Sequence, residues 1–212
     1  MNRHAFAAEI LLNEADTFRT LLGKTWPQIT AFLEDNRIHN FSLWTCAGLL
    51  FGYCEPEEPL TDQARQTMDS LTEVFSPVLH WLSRPGEGMR LMYHDFGIVR
   101  EDKSMIRHRM FMTRLKPGCA EEYKRRHDGL IEARGGRPDP GPDSNFSIWS
   151  AGGYIFGYDE IDTSMEKEET PEAHAATVEW ETRQLGIMDW ITNDCDWLTG
   201  EIHPASVRLA WK

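Results

Sequence analysis

The chain has 212 residues, of which 41% are hydrophobic, with a net charge of −12 and a sequence pI near 5.1. That acidity disfavours duplex nucleic acid, anionic membranes and highly anionic substrates as partners, since each calls for a basic footprint. No run of about 18 apolar residues occurs, so no membrane-spanning helix is expected. Acidic residues flank the short N-terminal apolar run at Glu9, Glu14 and Asp16, and it is not read as a signal peptide. The cysteines Cys46, Cys54, Cys119 and Cys195 form no CxxC pair and no zinc-finger spacing with His. Scattered reduced thiols in a cytoplasmic protein are the expectation.

In chain order, residues 4–12 read as a strand, and 14–35 as a helix with Phe18, Leu21, Leu22, Ile29, Phe32 and Leu33 at helical spacing. Residues 40–55 read as two short strands around Ala47–Gly48, a hairpin signal. Pro56–Thr61 is loop, and Thr61 is a plausible N-cap for a helix over 62–82 that Pro85–Gly86 ends. Met89–Asp95 reads as a last strand, and the polar stretch 98–106 as a linker.

The segment NFSLWTCAGLLFGYCE (40–55) then recurs 105 residues later as NFSIWSAGGYIFGYDE (145–160), with nine of sixteen positions identical and no gap. The chain is therefore two copies of one module. The second copy predicts a strand over 108–115, a helix over 118–133, a hairpin over 144–160, a helix over 169–193 and a strand over 205–211. Its GGRPDPGPD (135–143) ends the helix early and makes a long loop. Each copy has the order β-α-β-β-α-β, so the fold class is α+β, with tandem ferredoxin-like (βαββαβ) repeats over 1–98 and 106–212. Such a sheet has helices on one face only. Two of them within one chain are expected to form an intramolecular pseudo-dimer resembling a dimeric α/β barrel, with further homo-oligomerisation left open.

The copies differ where chemistry could sit. EEYKRRH puts Tyr123 and His127 four residues apart on one helix face, and the matching positions of the first copy are Phe18 and Leu22. A lone helical His is more often a surface or satisfied side chain, but the asymmetry points to a Tyr–His site kept in one copy and filled in the other. Trp44 and Trp149 share a strand position, while Trp180, Trp190 and Trp197 crowd the late part of the second copy, with Trp81 the one counterpart, placed against Trp197. Most read as core residues. Aromatic faces also suit the apolar faces of a sugar ring, with Trp190 the favoured stacking residue. The Lys124–Arg126 cluster reads as a solvated helix face.

HAFAAEILLNEADTF, TWPQITAFLE, IHNFSLW and EEYKRRH resemble pieces of the L-rhamnose mutarotase family, and together the copies cover nearly the whole chain. The family motif is divided: the first copy keeps Trp26–Pro27 and His39–Asn40, and the second keeps Tyr123 and His127. The resemblance implies small ferredoxin-like modules that pair, catalytic His127 and Tyr123, and tryptophans of the late helix, Trp180 and Trp190, lining a sugar pocket. Asn145 and Trp149 are expected to contact the sugar from the hairpin, and Trp26, His39 and Asn40 mark a possible second site. The expected reaction is interconversion of the α and β anomers of a 6-deoxyhexose such as L-rhamnose, with a monosaccharide as partner. No dinucleotide, P-loop, HExxH or EF-hand motif occurs, and His80 and His94 lie far apart in the chain, so no cofactor or metal is expected. The alternatives are a non-catalytic sugar-binding or scaffold protein, or another isomerase or oxygenase of the same fold class.

Overall fold

The computed structural model describes residues 2–189, 191 and 207–212. The first elements are β1 (His4–Ile10), α1 (Ala15–Asp35), β2 (Ile38–Cys46), β3 (Leu49–Pro56), α2 (Asp62–Glu73), β4 (Leu79–Ser83) and β5 (Arg90–Asp95). They are followed by β6 (Ile106–Leu115), α3 (Ala120–Ala133), β7 (Asp143–Ala151), β8 (Tyr154–Asp162), α4 (Pro171–Gln184), β9 (Met188–Asp189) and β10 (Val207–Trp211). Two units result. One runs to Met89 and takes in the C-terminal strand; the other begins at Arg90.

The first unit has a five-stranded sheet ordered β10-β2-β3-β1-β4, and the second one ordered β5-β7-β8-β6-β9. Leaving aside β10 and β5 at one edge of each, the other four strands follow the 4-1-3-2 order of a βαββαβ module, and every pairing is antiparallel. The fold is therefore α+β and ferredoxin-like in each unit.

Two expectations change here. The fourth strand of the first module is Leu79–Ser83, a stretch expected to be the end of a helix over 62–82. The stop was present in Pro77, whose missing N–H and clash with the preceding residue break the helix, and α2 ends at Glu73. In the second module α4 ends at Gln184 rather than 193, and Met188–Asp189 pairs with Arg114 and Leu115. The strands expected to close each module are fifth strands, exchanged between the units. Arg90–Asp95 pairs with β7, and Val207–Trp211 pairs with β2. The structural division accordingly falls at Met89/Arg90, ahead of the 98–106 linker.

Both late helices begin on a threonine whose side chain accepts from the N–H three residues on, Thr61 from Ala64 and Thr170 from Ala173. α3 closes with Gly135 and Gly136 at positive φ, the N–H of Gly136 reaching back to the Ile131 carbonyl at 3.0 Å.

The residues identical in the two hairpins have structural employment. Asn40 and Asn145 take φ of 50° and 52° at a register shift in β2 and β7. Each donates from Nδ2 to a buried glutamate, Glu55 or Glu160, at 3.1 Å. The tyrosines Tyr53 and Tyr158 donate to the same two carboxylates. Trp44 and Trp149 each donate from Nε1 to the serine two residues earlier at 3.0 Å.

Gly52 and Gly157 lie opposite Phe6 and Phe111 in the neighbouring strand. The phenyl ring covers the glycine so closely that a Cβ would overlap it. Gly157→Ala is expected to lower unfolding stability by about 1–3 kcal/mol, as overpacking does. In a Phe111→Leu background, denaturant titration should show most of that penalty gone. An equal penalty in both backgrounds would place the cost elsewhere than at this ring.

Candidate active site

Alternation along a strand decides which side chains meet. In β8 Ile155, Gly157 and Asp159 share one side, and Phe156, Tyr158 and Glu160 the other. Ile148 and Ile155 join the cluster containing Tyr123, so the first side is the one the helices cover. Trp149 and Asn145 therefore lie on the opposite face from α3. The structure does not bring them to Tyr123 and His127, contrary to the expectation that they close over a sugar there; their polar atoms serve Ser147 and Glu160 instead.

Tyr123 and His127 are buried, at 2% and 6% exposure, on the inner face of α3. Their rings stack at 4.1 Å between centroids. Nδ1 of His127 lies 2.9 Å from the main-chain carbonyl of Tyr123, one helical turn back. A carbonyl only accepts, so Nδ1 carries the proton and Nε2 keeps a lone pair. Burial pushes the imidazole down to about 4, outweighing the raising effect of that hydrogen bond, and His127 is neutral at ordinary pH. Burial, then the nearby Glu181 carboxylate, raises the Tyr123 phenol, so it remains a hydroxyl.

Trp180 of α4 meets the His127 ring edge-on at 5.3 Å. Trp190 and Trp197 lie outside the described residues. The register does revise their alignment. Ile10 pairs with Leu79 as Leu115 pairs with Met188, which sets LHW (79–81) over MDW (188–190) and makes Trp190 the sequence counterpart of Trp81.

Sequence reasoning missed several neighbours. Tyr93 of β5 lies 5.4 Å from the His127 ring and meets Phe146 edge-on. It was assigned to the other module because nothing local reveals a strand exchange. Arg109 donates from Nε at 3.0 Å and from Nη2 at 2.6 Å to the fully buried Asp159, whose carboxyl burial still pushes up to about 6. Glu181, half-buried on α4, is pushed up to about 7 by burial against the pull of Arg109. Gln184 and Thr113 are buried with side-chain polar atoms that find no partner among the described residues. Such atoms cost about 1–3 kcal/mol each when left unsatisfied, and a polar ligand relieves that cost.

The residues marked for a second site are dispersed by role. Trp26 packs at 6.0 Å on Phe41 at the edge of the first unit's core. His39 is exposed and paired with Glu57 at 2.8 Å, and Asn40 holds Glu55. Among the described residues no group of three or more His, Cys, Asp or Glu could hold a metal ion, and no helix is long and apolar enough to cross a membrane.

The second unit is thus a ferredoxin-like module with a neutral buried histidine stacked on a tyrosine, and a half-buried carboxyl near that tyrosine. The sequence model of L-rhamnose mutarotase matches residues 108–199, which lie in the second repeat. No curated protein and no solved structure matches the chain.

Burial of His127 makes a stability prediction. Its folded pKa of about 4 lies below the ordinary 6.5. The unfolded chain therefore takes up the proton first, and stability is lost as pH falls from about 6.5 to about 4. The loss amounts to about 3 kcal/mol. His127→Leu, copying Leu22 of the first unit, is expected to fold and to lack this acid-side loss. The check is the difference in unfolding free energy between variant and wild type across that pH range, which isolates His127 from Asp159 and Glu181.

Proposed function

We propose that the second unit is a sugar mutarotase interconverting the α and β anomers of a 6-deoxyhexose of the L-rhamnose type. The observation that carries the reading is the neutral, buried His127 stacked on Tyr123 at 4.1 Å, with Glu181 close enough to act on that phenol and its own carboxyl raised to about 7. Groups whose environments push their pKa values apart divide acid and base work between them.

Nε2 of His127 takes the proton of the anomeric hydroxyl while the Glu181 carboxyl protonates the ring oxygen. The ring C–O bond breaks, leaving an aldehyde with the former ring oxygen as a hydroxyl. Rotation about the bond to the aldehyde carbon exposes its other face, and the same groups close the ring in reverse. Tyr123 positions the sugar through its hydroxyl, Trp180 and Tyr93 offer aromatic faces to its apolar side, and Gln184 and Thr113 supply hydrogen-bonding groups for its hydroxyls. Each module's fifth strand enters the sheet of the other unit, which supports the reading that the chain is a fused pair of such modules, one chain in place of two. Free thiols at Cys46, Cys54 and Cys119 fit a cytoplasmic protein.

Anomer exchange followed by saturation-transfer NMR tests the assignment. His127→Gln is expected to slow exchange by about 10²–10⁴-fold, the usual contribution of a general base. An unchanged rate would remove His127 from the mechanism. Sugar binding without any acceleration in the wild type would leave a sugar-binding protein in place of the enzyme.

The pH profile is a separate check. The rate is expected to fall below about pH 4 as His127 is protonated and above about pH 7 as Glu181 loses its proton. Glu181→Gln should abolish the alkaline limb; if that limb persists, the acid is another group.

A further inference from the structure

The helix-covered side of the first unit holds a cavity of about 390 Å³ where the second unit has its Tyr–His site. The expectation that the first copy had filled its site is thus corrected. Phe18 and Leu22 line a space.

The correspondence extends across the whole lining. At the 105-residue offset shared by the first helices and the hairpins, Tyr123 becomes Phe18, His127 becomes Leu22 and Asp159 becomes Cys54. The late helices align at an offset of 109 from their threonine caps, Thr61 and Thr170. There Trp180 becomes Leu71, Glu181 becomes Thr72 and Gln184 becomes Phe75. The acid, the base and the unpartnered amide have all gone from the cavity wall. Cys54 adds no charge: burial, then Glu55, pushes its thiol up to about 12.

Polar residues of the lining are the exposed Asn2, His4 and Arg65 and the inward Thr72, whose hydroxyl donates to the Met68 carbonyl. One further polar atom is buried without a partner among the described residues. Trp81, in β4, lines the cavity, and its Nε1–H is buried with no acceptor among the described residues. An indole N–H only donates, so it asks for an acceptor atom on whatever fills the space. The rim residues Asn2, Pro59, Arg65 and Gly86 are exposed, which gives a small molecule a way in. The volume falls within the range of small-molecule pockets.

We infer that the first unit binds an uncharged, apolar small molecule carrying a single hydrogen-bond acceptor, a ketone or ester type, with its acceptor on Nε1 of Trp81. The site is separate from the acid–base site of the second unit and does not depend on the mutarotase reading. It takes over the location of that site and inverts its polarity.

Menthone, a cyclic ketone, and its parent hydrocarbon menthane serve as probes, with decanoic acid as the charged competitor. In the full chain menthone should bind saturably and shift the indole N–H cross-peak of Trp81, identified by its loss in Trp81→Phe. That variant should weaken menthone about fivefold, the worth of one neutral hydrogen bond, and leave menthane unchanged. Leu71→Trp installs the second unit's own Trp180 at the equivalent place and should abolish binding of both probes. Both variants should keep the wild-type rate of anomer exchange, since neither touches the second unit's site. Three outcomes overturn the inference: no saturable binding of either probe, equal affinity for ketone and hydrocarbon with the Trp81 cross-peak unmoved, or decanoic acid displacing menthone more strongly than menthone binds. If Trp81→Phe fails to fold, the Leu71→Trp result and the ketone-to-hydrocarbon preference of the wild type decide the matter.

Discussion

In each unit the central hairpin strand sends alternate residues to two separate tasks, and the rest of the unit depends on that alternation. In β8, Tyr158 and Glu160 join Asn145 in a buried hydrogen-bonded group on the helix-free face. Ile155, Gly157 and Asp159 face the helices, where Gly157 lets the Phe111 ring lie over the sheet and Asp159 holds Arg109. A slip of one residue would exchange the two sets, burying a bare carboxylate among Tyr123 and Leu115. The asparagine bulge, the Tyr–Glu bond and the Phe–Gly contact all oppose that slip, and all three recur in β2, β3 and β1.

This explains why the repeat is strongest in the hairpin and weakest on the helices. The hairpin identities serve the scaffold, which both units need. The helix faces are free to differ once the sheet is secure, and they have differed in polarity. In the second unit they carry Tyr123, His127, Trp180 and Glu181, the residues of the proposed site. Their counterparts Phe18, Leu22, Leu71 and Thr72 surround a cavity that no longer supports acid–base work. Burial controls the electrostatics of the first of these. It keeps His127 neutral and Tyr123 protonated, and it raises Glu181 toward the pH at which a carboxyl can still give up a proton.

The exchanged strands tie the halves of the chain together at the level of each unit's composition. β5 pairs in the second unit's sheet and places Tyr93 against His127, although it precedes that module's own first strand. The family match begins only at His108, and it does not include that tyrosine.

The sequence by itself determined the repeated hairpins, the start of α2 on Thr61, the other helix starts to within two residues and the Tyr–His spacing, because each rests on contacts a few residues apart: a turn, a threonine cap, an i to i+4 spacing. Pro77 and Gly186 also marked where α2 and α4 stop, but the apolar spacing beyond them still reads as helix, and strand pairing had to override it. Tertiary structure alone decided the rest. Whether Trp149 and Asn145 share a face with His127 is a matter of strand parity across a bulge. That Tyr93 and Trp180 meet the His127 ring, and that Glu181 comes near enough to raise the Tyr123 phenol, depends on chain segments far apart in sequence. The cavity behind Phe18 and Leu22 is a property of packing volume, and two apolar letters are the same whether they fill a core or line a space.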